Sequence, residues 1–308
     1  MNEKTGKQVV ILVDEYDKPL LETMEVNPVQ EERNRDLYKS FFSVLKDEDQ
    51  YLKFVFITGV TKFSKVSIFS DLNQLNDISL SDRYACICGI TEKELEGQFR
   101  PEIHEMAQEN DQTDTECLDQ LAEMYDGYHF SKKSEGVYNP FSLLNAFYNH
   151  DYANYWFSTR TPTFLIHKLE RSAFTAEQFT DGVRATEDSL MNYRPDNPDP
   201  IPLFYQSGYL TICGWYREYR VYRLRFPNHE VEYGFMNSLM EDTIPKNENT
   251  DGFFIMDYVN DLDSGNIDSF MNRLTAVFAS IPYTEKKSYE SEWRNEIYLF
   301  LKLRGILQ

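Results

Sequence analysis

The chain has 308 residues, with 51 acidic against 31 basic residues and a formal net charge of −20. Its 41% hydrophobic and 15% aromatic content excludes a disordered chain and is sufficient for a substantial core. The acidic balance, without any run of five basic residues, argues against nucleic-acid binding by this segment alone. No apolar stretch approaches the roughly 18 residues of a membrane helix, and the polar amino terminus does not resemble a signal peptide. We therefore expect a cytoplasmic protein that does not bind membranes.

The amino-terminal part has the pattern of an α/β unit. Residues 8–14 (QVVILVD) and 51–58 (YLKFVFIT) are short apolar runs, typical of parallel strands buried on both faces. Residues 29–48, between them, have the charge and spacing of an amphipathic helix. Its predicted apolar stripe consists of Leu37, Phe41, Val44 and Leu45. With 83–90 (RYACICGI) as a further strand, this spacing predicts βαβ units and a parallel sheet.

Helical patterns dominate from residue 91 to about residue 190. The first helix begins with Thr91 and Glu94 in the spacing of a capping box. The proline-rich stretch 194–202 is typical of a linker. Two further helical segments are predicted at 253–283, with a stripe of Phe270, Leu274, Val277 and Phe278, and at 289–303.

Residues 203–240 have the helix, hairpin and helix order of a small winged-helix-like unit. Its predicted core consists of Leu203, Phe204, Tyr209, Leu210 and Phe235, although Gly208 can also end the first helix. The hairpin carries an island of positive charge formed by Arg217, Arg220, Arg223 and Arg225. Such a face can contact nucleic acid. Pairing with nearby carboxylates is the favoured alternative, because surface charges usually do no more; the nearest are Glu218, Glu230 and Glu232.

Cysteines and histidines give no metal-site pattern. Cys86 and Cys88 stand too close for the usual zinc spacing, and no histidine pair lies nearby. With Cys117 and Cys213, they are predicted to be buried free thiols in a reducing compartment. The five histidines are scattered, so each is expected to pack in the core or at the surface.

The strongest chemical pattern is VVILVDEYDKP at residues 9–19. Five apolar residues carry the chain through a sheet, and two acids emerge at its carboxyl end, where open α/β sheets place their ligands. In a P-loop ATPase the first acid, here Asp14, holds Mg²⁺, and the second, here Glu15, polarises the attacking water. The alternative is a strand that ends in a turn with solvated acids, because this pattern is short and common.

The second apolar strand ends at Thr58, just before Gly59. In P-loop ATPase cores, the strand beside the acidic strand ends in a polar sensor residue directed at the γ-phosphate, and Thr58 occupies that place. A strand-end threonine that caps the next turn is at least as good an interpretation of Thr58 alone.

The sequence resembles the AAA-ATPase-like proteins common in gut bacteria and other anaerobes. The resemblance rests on VVILVDEYDKPL (9–20), FITGVTKFSKVSIFSDLNQLNDISL (56–80), CGITEKEL (88–95), YDGYHFS (125–131), VYNPFSLLNAF (137–147), YWFSTRTPTFLI (155–166), LFYQSGYLTI (203–212) and LRFPNHEV (224–231). These motifs keep the family's order across much of the chain, which makes the match specific.

The resemblance implies an α/β fold: a partial P-loop core of the ASCE class, followed by a mainly helical region with a winged-helix-like unit. The implied divisions are 1–95 for the ATPase core, 96–200 for a helical lid, 201–250 for the winged-helix-like unit and 251–308 for the helical start of a PD-(D/E)xK nuclease-like domain. ATP and Mg²⁺ are the implied cofactors of the intact protein. Self-association is implied as in AAA-like ATPases, and nucleic-acid contact only through the intact protein.

Three features depart from the family pattern. No G-x-x-x-x-G-K-[ST] loop precedes Asp14, where the only glycine is Gly6, and the nuclease acids would lie beyond Gln308. Arg160 also stands where the family has a small residue. We therefore expect an internal fragment or truncated product that does not hydrolyse ATP by itself. The alternative hypothesis is a non-catalytic module that binds protein or nucleic acid.

Overall fold

The computed structural model describes residues 5–23, 27–61, 75–159, 165, 168–169, 176–191, 199–243, 255–280, 298 and 302. These residues combine helices with two small sheets, one parallel and one antiparallel. The strands are β1 (Val9–Val13), β2 (Leu52–Ile57), β3 (Val183–Thr186), β4 (Thr211–Tyr216) and β5 (Val221–Arg225).

The helices fall into three groups along the chain. The first two are α1 (Lys18–Leu21) and α2 (Pro28–Asp47). The middle group is α3 (Glu92–Gln98), α4 (Arg100–Glu109), α5 (Asp114–Tyr125), α6 (Pro140–Asn149), α7 (Tyr155–Thr159), α8 (Ala176–Asp181) and α9 (Glu187–Met191). The last group is α10 (Ile201–Gln206), α11 (His229–Thr243), α12 (Ile255–Asp263) and α13 (Ile267–Ser280).

The predicted pairing of the first two strands is confirmed, because β1 and β2 are parallel neighbours. Their predicted burial on both faces is wrong. Ile11 and Val13 pack against the core, whereas Val10, Leu12 and Phe54 are 51%, 70% and 54% exposed. The register places Val10 opposite Phe54, so the exposed residues share one face of the sheet. Only one face is therefore covered within the described residues.

Helix α2 confirms the predicted element but buries a different stripe. Phe42 and Leu45 are buried, whereas the predicted Leu37, Phe41 and Val44 are exposed. Phe42 stacks on Tyr38, with 5.8 Å between ring centroids, and meets the Tyr16 ring edge-on. The aromatic contacts, which helical periodicity cannot reveal, decide which side faces the core.

The expected strand at 83–90 is absent from the described structure. Residues Asp82–Tyr84 form a 3₁₀ turn, and Ile87 donates its amide to the Tyr84 carbonyl at 3.1 Å. Because these local bonds satisfy the backbone, the segment does not join a sheet; only Ile90 makes an isolated bridge, with Tyr138.

Helices α3 to α6 enclose a separate core cluster. Leu95, Met106 and Leu121 are fully buried members of it. The Thr91–Glu94 capping box at the start of α3 is confirmed.

The second sheet has the order β3-β5-β4 and is antiparallel. Strand β3 lies in a region predicted to be helical; this correction follows from its alternating burial, which two-residue periodicity requires but four residues are too few to reveal. The end of the predicted linker is also corrected, because Ile201 and Pro202 are buried at the start of α10.

The predicted helix, hairpin and helix order of residues 203–240 appears as α10, β4, β5 and α11. Gly208, with φ of +85°, follows the end of α10, as the alternative interpretation anticipated. The predicted core residues are all buried, namely Leu203, Phe204, Tyr209, Leu210 and Phe235. The winged-helix assignment itself stays a prediction.

Several other expectations have mixed outcomes. The cysteines are free, but only Cys117 is buried, because the other three lie in surface turns or on the edge strand β4. The predicted helical segment at 253–283 contains α12 and α13, with Phe270 and Leu274 buried. The helix predicted at 289–303 lies outside the described residues, apart from Tyr298 and Lys302. Within the described part of the chain, every helix is too short or too polar to cross a bilayer.

Candidate functional site

The carboxyl ends of β1 and β2 bring two predicted site residues together. Asp14 follows β1 and Thr58 follows β2, and parallel pairing places both at one edge of the sheet. The Thr58 hydroxyl donates to Asp14 Oδ1 at 2.5 Å, and the Thr58 amide donates to the Val13 carbonyl at 2.8 Å. A carboxylate and a hydroxyl therefore stand side by side on the part of the sheet where α/β proteins place ligands.

Glu15 lies beside this pair in an unfavourable backbone conformation. Its φ is +47°, in the left-handed region that costs energy for a residue with a Cβ. The Glu15 amide donates to Asp14 Oδ1 at 3.1 Å, and its carboxylate lies 3.3 Å from Lys18 Nζ. Both side chains of that ion pair are about half exposed, so the pair contributes little stability. All three predicted site residues are thus adjacent.

Two residues that the sequence analysis did not select hold the loop after β2. Asp17 has 0% exposure, and its carboxylate accepts the amides of Val60, at 3.1 Å, and Thr61. Tyr16 donates its hydroxyl to the Thr61 carbonyl at 2.9 Å and its amide to the Thr58 carbonyl at 3.0 Å. These bonds join the DEYD segment to the loop that carries Thr58.

Gly59 permits this close approach. A Cβ on Gly59 would lie 2.5 Å from ring carbons of Tyr16 and 2.7 Å from Asp17 Oδ1, which is closer than real Cβ contacts. Burial raises the pKa of Asp17, and the amides of Thr61 and Val60 offset part of that effect. A glycine directly after a strand is the sequence feature that could have indicated such a contact.

The edge offers oxygen donors of the type that Mg²⁺ takes, namely the carboxylates of Asp14 and Glu15 and the Thr58 hydroxyl. The described residues contain no group of three or more His, Cys, Asp or Glu side chains that could hold a metal ion. Protein magnesium sites often use only one or two carboxylates, with phosphate oxygens and water completing the coordination. The donors present fit that kind of site.

Comparison with known proteins agrees with this chemistry. Residues 1–69, which include both strands and the three site residues, match the family model described as Predicted AAA-ATPase. This match supports an AAA-ATPase-like family for the chain. The chain is also 37% identical, over 285 residues, to the "Uncharacterized protein in vnfD 5'region" of Azotobacter chroococcum mcd 1.

That alignment covers 90% of this chain but 51% of the relative. The chain therefore spans about half the length of the curated relative that it matches. No solved structure matches the chain.

Proposed function

We propose that the chain carries the acidic-strand, or Walker B, half of an ATP-binding and ATP-hydrolysing module. The observation that carries this proposal is the contact between Asp14 and Thr58 at the carboxyl edge of two parallel strands. The family match over residues 1–69 supports the same chemistry.

Each residue at the edge has a role in the proposal. Asp14 holds Mg²⁺ beside the nucleotide, and bound Mg²⁺ supplies neutralisation of phosphate charge. Glu15 orients the attacking water and accepts its proton, and Thr58 contacts the γ-phosphate. Tyr16 and Asp17 position Thr58 through the backbone of residues 58–61.

The remaining parts of the proposal concern the intact protein. A phosphate-binding loop outside these 308 residues completes the ATP site, because the chain contains no G-x-x-x-x-G-K-[ST] sequence. Hydrolysis then moves the helical and winged-helix-like parts, and a nuclease-like domain follows. We expect self-association of the intact protein and no ATP turnover at enzymatic rates by this chain alone.

Phosphate release with Mg-ATP tests this function. The chain alone is expected to give background rates, whereas the full product of its gene is expected to turn over ATP. Asp14→Asn and Glu15→Gln should abolish that turnover, and Glu22→Gln, an exposed acid near the site, should not.

Two results would contradict the proposal in different ways. Turnover by the chain alone that disappears in Glu15→Gln would show that no further loop is needed. Turnover by the full product that survives both Asp14→Asn and Glu15→Gln would remove the site assignment.

A second function, a non-catalytic interaction module, is favoured by the exposed apolar face of Val10, Leu12 and Phe54. Apolar surfaces of this kind commonly mark protein contacts. Leu12→Lys combined with Phe54→Lys should disrupt such a contact in sedimentation or pull-down experiments with the full product. Unchanged assembly with lost ATP turnover in Glu15→Gln would favour the enzyme over the interaction module.

A further inference from the structure

A cavity of about 340 Å³ lies between the loop at 129–134 and the β4–β5 hairpin. Three cations line it, Lys132, Arg223 and Arg225, together with His129, Ser131 and Gly214. No carboxylate side chain of the described residues lines it. On a chain of net charge −20, a cavity with only cationic charge is suited to an anion.

The hairpin supplies the two arginines through strand alternation. Arg223 and Arg225 alternate with the buried Tyr222 and Leu224, so both arginines project from the exposed face of β5. Gly214 stands opposite Arg223 in the register and adds no side chain of its own, which leaves space beside the guanidinium.

Hydrogen bonds fix the loop against β4. The His129 amide donates to Thr211 Oγ1 at 2.6 Å, and the Ile212 amide donates to the His129 carbonyl at 3.5 Å. His129 Nδ1 lies 2.9 Å from the Ser134 carbonyl. Because a carbonyl only accepts, Nδ1 carries the proton and Nε2 remains as the other polar atom of the ring.

Ser131 provides an independent indication of a ligand. The residue is 2% exposed, and its hydroxyl is buried without a hydrogen-bond partner in the structure. Leaving a buried hydroxyl unpaired is unfavourable, so such groups in native proteins call for an explanation. A ligand oxygen in the cavity would supply the missing partner.

The cations differ in how far their charges are compensated. Lys132 Nζ lies 2.9 Å from Glu187 Oε2 and 4.0 Å above the Trp215 ring. Arg223 donates to the Asp181 carbonyl at 3.2 Å, which is a neutral acceptor. Within the described residues, neither Arg223 nor Arg225 forms an ion pair with a carboxylate. The expected pairing with Glu230 and Glu232 does not occur, because Glu230 bonds to Ser142 and Trp156 and Glu232 pairs with Lys302.

We propose that this cavity binds a phosphate group of a ligand. Guanidinium groups match phosphate oxygens in pairs, and an ammonium and a hydroxyl add further donors. The volume exceeds that of a single ion and lies at the lower end of small-ligand pockets, roughly 300–1,000 Å³. The phosphate belongs either to a small phosphorylated molecule or to the backbone of a nucleic-acid strand. None of these residues belongs to the proposed ATP site, so the inference is independent of ATP hydrolysis.

Calorimetric titrations of the 308-residue chain, at matched ionic strength in chloride, test the proposal. The probes are inorganic phosphate, thymidine monophosphate and an oligothymidylate. Saturable binding of the monophosphate as tight as that of the oligonucleotide identifies a small ligand. Binding of the oligonucleotide alone, weakened by salt, identifies a nucleic-acid backbone. No saturable binding of any of the three probes overturns the proposal.

Variants separate the cavity from the general charge of the hairpin. Arg223→Gln combined with Arg225→Gln should weaken binding by about tenfold or more. The control, Arg217→Gln with Arg220→Asn, removes the same charge from the turn of the same hairpin and should leave binding unchanged. Equal weakening in both pairs would show nonspecific attraction and overturn the site.

Ser131→Ala distinguishes a ligand contact from a structural one. In the absence of ligand its melting temperature should equal or exceed that of the wild type, because an unpaired buried hydroxyl is removed. Phosphate binding should weaken several-fold, and Ser131→Thr should restore part of it. A lower melting temperature with unchanged binding would contradict the assigned role.

Discussion

The β1–β2 unit and the aromatic region around α10, β4, β5 and α11 bury their apolar residues in opposite ways. In the aromatic region, the rings of Phe179, Phe204 and Phe235 are fully buried, with centroids 5.0 to 5.8 Å apart. In the β1–β2 unit, one sheet face packs inward while Val10 and Leu12 face outward. The aromatic region closes its own core, whereas the sheet presents an apolar face for other polypeptide to cover.

The two regions also differ in where they place polar groups. The sheet gathers Asp14 and Thr58 at an accessible edge, whereas the aromatic region borders the fully buried carboxylate of Glu230. Glu230 accepts the Ser142 hydroxyl at 2.7 Å and the Trp156 amide at 2.7 Å, which links α6, the start of α7 and α11. Polar groups at the edge are free to meet a ligand, and those in the core fix packing.

The largest expected effect lies in the aromatic core. Phe235→Ala should lower the free energy of unfolding by about 3–5 kcal/mol, because it removes a fully buried ring. Phe54→Ala, on the exposed sheet face, should change it by only about 0.5 kcal/mol. Urea denaturation monitored by circular dichroism compares the two. Similar losses would mean that the sheet face is covered in solution, and the contrast between the regions would fail.

A smaller loss is expected at Asp17. Asp17→Asn leaves one of the Val60 and Thr61 amides facing an NH₂ group, which should cost about 1–3 kcal/mol. Asp36→Asn, on the exposed side of α2, is the matched control and should be neutral. The same denaturation experiment applies, and equal stability of the two variants would remove the proposed positioning role of Asp17.

The pH dependence of stability probes the buried carboxylate of Glu230. Burial raises the pKa of Glu230 above its ordinary value of 4.5, although hydrogen bonds from Ser142 and Trp156 oppose the change. Between 4.5 and the raised value, the folded state holds a proton that the unfolded state has released, so stability falls as pH rises through this window. Glu230→Gln lacks this titration.

Thermal melts at a series of pH values measure the effect. Many carboxylates titrate in an acidic chain, so the useful quantity is the stability of the wild type minus that of Glu230→Gln. This difference should decrease as pH rises above 4.5. A difference that increases with pH would indicate a lowered pKa and contradict the assignment.

Sequence patterns predicted what rests on short-range chemistry. The apolar runs and the acids that follow them gave the parallel pair with Asp14 beside Thr58. Periodicity could not choose between two apolar stripes of α2, because the choice of Phe42 depends on Tyr16, which is distant along the chain. The role of Asp17 was missed for the same reason, since its partners lie 43 and 44 residues away.

The smallest expected effect concerns Glu15, the residue that the proposal makes catalytic. Its φ of +47° is favourable for glycine but not for glutamate, and its ion pair with Lys18 is half exposed. Glu15→Gly should therefore leave stability unchanged or raise it by about 1 kcal/mol, because the relief of left-handed strain exceeds the added unfolded-state entropy. Glu22→Gly, where φ is −67°, offers no such relief and should be neutral or destabilising. A loss in Glu15→Gly larger than that in Glu22→Gly would assign Glu15 a structural role. Equal or higher stability, together with lost ATP turnover in the full product, would mean that the strained conformation is kept for function, as occurs at active sites.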